Sequence, residues 1–296
     1  MLWIAATLIA AAAQTARNAM QSSLTASLGT LGAAQVRFLY GLPFALLFLV
    51  LAAALADAPV PAPTASFVAY TGAGALAQIA GTVLLLAAMH AGSFSVATAF
   101  TKTEPVQVAI FAFAVLGERL TPLAIGAIVI ATAGVVLAAW RARGPSARRS
   151  VAAAAFGVAS GAFFALAAVG FRGGILALGE GSAYLRATTT LAWALGLQAA
   201  SLGAWMAVFR RAALVESLLR WRQSLTAGFM GALASQFWFL GFSLTAAANV
   251  RTLALVEVLF AHAVARRLFG ERACRREALG MTLVVAGVAL LLASTA

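Results

Sequence analysis

The sequence predicts an all-α integral membrane protein whose ten transmembrane helices form two inverted five-helix repeats, and three observations carry that expectation. Of 296 residues, 63% are hydrophobic and only 9% charged, and the mean hydropathy reaches +0.98, a balance that soluble domains of ordinary composition do not approach. Apolar runs of about 20 residues, the length that crosses ~30 Å of hydrocarbon at 1.5 Å per residue, can be placed ten times. Laying Glu104 on Glu257 also brings Gly117, Glu118 and Arg119 onto Gly270, Glu271 and Arg272, and Gly134 onto Gly287, all at one offset of 153 residues.

In chain order, the first run, 2–21, holds Gln14, Arg17 and Asn18. Met1 to Ala13 lacks the basic start of a cleavable signal and the apolar run outlasts one, so this segment is expected to stay as a span. The second run, 31–55, carries Arg37, and the breaker-rich DAPVPAP at 57–63 ends it. The third, 65–89, contains Gln78 in GALAQ and has His90 at its interfacial end. The fourth, 93–116, encloses Lys102, the only lysine of the chain, with Glu104 and Gln107; the fifth is 121–140. RARGPSARRS at 141–150 then divides the repeats, which are residues 1–143 and 150–296. The second repeat offers 152–175 with Arg172, 183–209 with Arg186, 223–246 with Gln236 in GALASQ and Trp238, 248–268 with Asn249 and Glu257, and 274–294. None of these runs alternates like the strands of a transmembrane barrel. Five crossings per half oblige the related halves to run in opposite directions, the arrangement common in secondary transporters.

The formal charge of +12 comes from 19 arginines and one lysine against eight acids, which in a soluble protein would suggest nucleic acid. Here the arginines gather in short loops, as topology signals and phosphate anchors do, and membrane lipid rather than nucleic acid is the expected partner. Arg141, Arg143, Arg148 and Arg149, then Arg210, Arg211, Arg220 and Arg222, then Arg266, Arg267, Arg272, Arg275 and Arg276 occupy three loops on one side. Both termini are therefore expected outside the cytoplasm. Arginine in preference to lysine, with abundant alanine, points to a GC-rich bacterial genome and hence an inner membrane. Trp3, Trp140 and Trp221 lie near segment ends, where interfacial rings belong. A single cysteine, Cys274, excludes an internal disulfide and cysteine-rich metal sites, and no cofactor or metal is expected.

Ionisable groups at bilayer depth are costly, roughly 2.5–3.5 kcal/mol each on insertion scales, and so mark candidate sites. Glu104 and Glu257 hold equivalent positions in helices four and nine, and a carboxyl group there can take up or release a proton as it meets water or a cation, the chemistry of proton coupling. Permanent structural pairing is the other reading. Lys102 and Glu104 are two residues apart, on opposite helix faces, and do not simply neutralise one another unless the helix is broken; Arg251 is six from Glu257, so any pairing of that carboxylate must be tertiary. Pro105 removes a backbone hydrogen bond and disfavours helical geometry at Glu104, so a kink or unwinding is expected. Arg37 and Arg186 sit one to two turns into their spans and can grip a carboxylate through bidentate hydrogen bonds, or snorkel to headgroups. Arg17 and Arg172, nearer segment ends, are expected to snorkel. Gln14, Gln78, Gln107, Gln236, Trp238 and Asn249 are further lining candidates, although helix-to-helix hydrogen bonding is the ordinary task of such groups in a membrane.

The segment TEPVQVAIFAFAVLGERLTPLAIGAIVIATAGVVL, with the five-plus-five pattern around it, resembles the EamA-like branch of the drug/metabolite transporter superfamily. Gly117, Glu118, Gly126 and Gly134 fit that family's pattern in the first half; Gly270, Glu271, Gly280 and Gly287 fit it in the second. The resemblance implies a basket of helices around a central cavity, with helices five and ten peripheral, and export or exchange of small metabolites such as amino acids. The second half has Val258 where the first has Pro105. Glu118 and Glu271 are expected to serve the helix boundaries at which they stand.

The expected function is therefore a secondary transporter for a small amphipathic, carboxylate-bearing metabolite, working by alternating access. Glu104 and Glu257 are the proton-coupling candidates, and Lys102, Arg37, Gln78, Gln107, Arg186, Gln236 and Trp238 the substrate-binding ones. A facilitative exchanger or broad drug exporter is the nearest alternative. An intramembrane enzyme lacks support, since no HExxH, GxSxG, aspartate cluster or cysteine pair is present.

Overall fold

The computed structural model of the protein describes residues 1–91, 100–139, 147–260 and 275–295, and these are helical apart from short connections, with no strand among them. The helices are α1 (Leu2–Ala56), α2 (Ala65–Ala91), α3 (Glu104–Leu116), α4 (Pro122–Ala139), α5 (Ala147–Ala177), α6 (Ala183–Phe209), α7 (Arg211–Leu219), α8 (Trp221–Leu244), α9 (Ala247–Leu253) and α10 (Arg275–Thr295). Six stretches among the described residues are long and apolar enough to cross a membrane: Leu31–Ala56 within α1, Ala65–Ala88, Val151–Ala177, Ala183–Phe209, Ser224–Leu244 and Arg275–Thr295.

Two expected spans are interrupted among the described residues. The fourth breaks at Lys102 and Thr103, leaving the 13 residues of α3 beyond the break. In the ninth, seven residues of α9 pass into a 3-10 turn, Ala254–Val256, before helix resumes at 257–260. The first two spans, by contrast, run together as 55 helical residues, about 80 Å of helix and far more than one crossing needs. Gly29 divides them: its φ of 65° and ψ of 178° belong to a region open only to glycine.

Helix ends follow local chemistry. Gly117 closes α3 in the left-handed conformation (φ 68°), its N–H and that of Glu118 bonding back to Phe113 and Ala112. The Thr121 hydroxyl accepts from the Ala124 N–H to start α4. The GE pair thus serves a helix boundary through its backbone. Ser182 caps α6 by accepting from Leu185 N–H at 3.3 Å. Inside α6, Thr188, Thr189 and Thr190 each donate to the carbonyl four residues back, which satisfies three hydroxyls within an apolar span.

The chain folds as two compact units that cut across the sequence halves. One comprises Met1–Ile79 with Gly170–Thr245, the other Ala80–Val169 with Ala246–Ala296, so divisions fall inside α2 and inside α5. The first unit packs around Phe38, Phe67, Phe171, Ile175, Leu185, Leu191, Met206 and Phe242, all essentially buried. Glycines let its helices close up. A Cβ on Gly170 would stand 2.8 Å from the Tyr70 carbonyl oxygen on α2, and one on Gly228 would stand 2.6 Å from the Tyr40 backbone on α1.

In the second unit α4 and α10 meet through small residues. A Cβ on Gly134 would lie 2.7 Å from the Gly280 carbonyl oxygen, and one on Gly287 would lie 2.6 Å from Ala131 N and 2.8 Å from the Ala127 carbonyl oxygen. Ile128, Leu253, Leu255 and Leu291 fill the core beside them.

Of the expected interfacial rings, Trp221 is about half exposed and Trp3 is buried, while Trp140 lies outside the described residues. So do Arg141, Arg143, Arg266, Arg267, Gly270, Glu271, Arg272 and Cys274, and the side chains of Asn18, His90, Arg148 and Arg149.

Candidate functional site

The break ahead of α3 is built by its own sequence. Pro105 has no N–H to offer the carbonyl of Thr101 four residues back, and Thr103 takes the N-cap position with Pro105 in the first turn. Gly161 on α5 makes room for it: a Cβ there would sit 3.0 Å from the Thr101 carbonyl oxygen and 3.5 Å from the Thr103 hydroxyl. Gln107 Nε2 donates to Thr103 Oγ1 at 3.2 Å and to the Val158 carbonyl at 3.3 Å, tying the start of α3 to α5.

With the helix opened, Lys102 and Glu104 each meet a group of opposite charge from the second half of the chain. Lys102 Nζ donates to Glu257 Oε2 at 3.0 Å. Arg251 Nε approaches Glu104 Oε1 at 3.0 Å, off the axis of a hydrogen bond, so that contact is an ion pair. The four side chains are between 11% and 23% exposed. Two cations and two carboxylates inside one unit sum to no net charge.

The arrangement is almost reciprocal. At the 153-residue offset, Lys102 and Thr103 fall on Leu255 and Val256, inside the 3-10 turn of the second half. Departure from α geometry thus recurs at the matching place without a proline. Glu104 takes its cation from six residues before Glu257, and Glu257 takes its own from two residues before Glu104, a difference of one helical turn.

The other predicted residues belong to the first unit. Arg37 on α1 packs its stem 3.3 Å from where Gly231 of α8 would carry a Cβ, and Arg17 reaches the same point at 3.6 Å. Arg17 is only 6% exposed, which corrects the expectation that it snorkels. Arg172 also turns inward, donating to the Phe242 carbonyl. Arg186 instead donates to the Gly179 carbonyl at 3.2 Å, beside the start of its own helix.

The polar neutral residues join helices. Gln198 donates to Gln78 at 2.5 Å, Gln236 to the Thr188 hydroxyl at 2.7 Å, and Trp238 to Gln14 at 3.1 Å. The structure therefore brings Lys102, Glu104 and Glu257 together, with Gln107 at the same break. Arg37, Gln78, Arg186, Gln236 and Trp238 belong instead to the first unit, each meeting a different partner there.

Sequence reasoning passed over Arg251 and Arg17. Arg251 carried the right signal, an arginine inside an apolar span, but was weighed only against Glu257 on its own helix. Arg17 was discounted because it stood near a segment end, when α1 continues as helix beyond it.

Residues 1–140 match the model of the EamA-like transporter family. No match was found among curated proteins. Among solved structures 29 chains match. One is a crystal structure described only as that of a protein, aligned over 98% of this chain and 94% of the other with a TM-score of 0.71 and 17% identity. At that identity the likeness is one of fold. The helical membrane fold, the ionisable groups within it and the match over residues 1–140 identify the first half of this chain with the EamA-like transporter family, consistent with the drug/metabolite transporter superfamily.

Proposed function

We propose that the protein is a secondary transporter that exports or exchanges a small amphipathic metabolite bearing a carboxylate, by alternating access, in a bacterial inner membrane. One observation carries this reading: the paired ion bridges Glu104–Arg251 and Lys102–Glu257 at a helix break inside an apolar unit. Charges of both signs at that depth cost folding energy unless paired, and paired charges can be separated by a solute carrying the same groups. A carboxylate competes with Glu104 and Glu257 for Arg251 and Lys102, an ammonium competes for the carboxylates, and a displaced carboxylate takes up a proton.

The ten-helix inverted repeat belongs to this reading. It is supported by the recurrence of non-α geometry at matching positions and by the α4–α10 seam, where the Gly134–Gly280 approach corresponds, at the 153-residue offset, to the Gly287–Ala127 approach.

The deciding variant is Glu104→Gln in reconstituted vesicles, assayed by radiolabelled amino-acid uptake under an imposed pH gradient. Uptake driven by the gradient should be abolished while exchange without a gradient persists. Full retention of gradient-driven uptake would remove the proton role. A second reading, facilitative exchange, is favoured by the fact that each carboxylate already holds a cation. It predicts that wild-type flux ignores the pH gradient altogether.

A further inference from the structure

The helix α7 and the residues flanking it form a basic, apolar-faced surface that the transport reading leaves unused. This stretch joins two membrane-length helices, α6 and α8, and folds as nine helical residues between Arg210 and Arg220. Arg211, Val215 and Leu219 follow one another at four-residue spacing and so share a face; with Ala212 and Glu216 they line a shallow concavity open to the outside. Val215 and Leu218 are about half exposed and Leu219 is 76% exposed, with Phe209 and Trp221 exposed beside them.

Charge on this surface is one-sided. Arg210, Arg211, Arg220 and Arg222 stand against one acid, Glu216, and that acid is bridged to Arg220 at 3.1 Å. The Arg222 guanidinium lies 5.3 Å from the centre of the Trp221 ring. On the inner face Ser217 is buried, and the Tyr40 hydroxyl of α1 donates to the carbonyls of Ser217 and Leu218 at 3.3 and 3.1 Å.

We propose that α7 lies in the headgroup layer and binds an anionic phospholipid, the arginines holding the headgroup phosphate and Val215, Leu218, Leu219 and Trp221 resting on acyl chain. The spans at either end keep this helix at a membrane surface. Its exposed apolar side chains suit hydrocarbon better than water, and its arginine excess selects an anionic lipid over a zwitterionic one. Tyr40 stands one turn after Arg37 on α1, so the lipid that seats α7 also steadies the helix that carries Arg37.

The test uses the full chain in phosphatidylcholine vesicles containing a minor fraction of brominated phosphatidylglycerol or brominated phosphatidylcholine. Quenching at Trp221 is taken as the difference between wild type and Trp221→Phe. Brominated phosphatidylglycerol should quench more strongly at equal mole fraction. The triple variant Arg210→Gln, Arg211→Gln, Arg222→Gln should lose that preference, by roughly fivefold in relative affinity per arginine, whereas the three lysine replacements should keep it. Equal quenching by both lipids in wild type, no quenching by either, or a preference that survives the glutamine variant would overturn the proposal. Because the readout involves no solute, it stands or falls independently of the transport reading.

Discussion

Lys102 illustrates what a single residue can and cannot announce. Its rarity and its place inside an apolar run mark it, and the two-residue spacing puts Glu104 on the opposite face of an unbroken helix. Which carboxylate would answer it was a matter of tertiary contact, and the answer is Glu257. A pair with this little exposure should behave as a unit. Lys102→Met or Glu257→Met alone removes one member of the ion pair in an apolar setting and should destabilise the protein by about 3–5 kcal/mol, toward the lower figure because Lys102 retains some exposure. The double variant Lys102→Met, Glu257→Met should recover most of that loss. Thermal melting of the four proteins in detergent provides the cycle, and simple additivity would show that the two residues do not act together. Arg251 and Glu104 follow the same logic, with the correspondence between Glu104 and Glu257 readable beforehand and the crossing of their partners not.

At the scale of elements, breakers predicted breaks where they exist. Pro105 foretold the interruption before α3, and it lies there with Thr103 as the cap. The 3-10 turn at Ala254–Val256 had no such herald, since its residues are all apolar and buried and their geometry follows from packing. Nor did the loop rich in arginine declare that it would fold as α7. The glycines of α4 and α10 were readable as a repeated pattern, and coordinates distinguish those that matter. Gly280→Ala would place a methyl group 2.5 Å from the Gly134 carbonyl oxygen, against backbone that cannot yield cheaply, and should cost about 1–3 kcal/mol. Gly126→Ala meets nothing within 4 Å and should be neutral or stabilising by up to ~1 kcal/mol. Melting temperatures of the two variants should therefore separate, and equal values would contradict the close seam.

For the whole molecule the loop charges make a directional prediction. Arginines concentrated in alternate loops should hold those loops in the cytoplasm and leave both termini on the far side. A green fluorescent protein fused after Ala296 should stay dark and a periplasmic phosphatase fused there should be active; the opposite pattern would reverse the orientation. Composition and run length were sufficient to determine that this chain lives in a membrane as helices, because the cost of apolar surface in water and of open backbone in lipid is set by residue type and segment length alone. Only the tertiary structure decided that the compact units mix helices from both halves, that Glu104 meets Arg251 while Lys102 meets Glu257, and that Arg17 turns inward beside Gly231. Those outcomes depend on which helix faces come together, and pairing across more than a hundred residues leaves no periodic trace in the sequence.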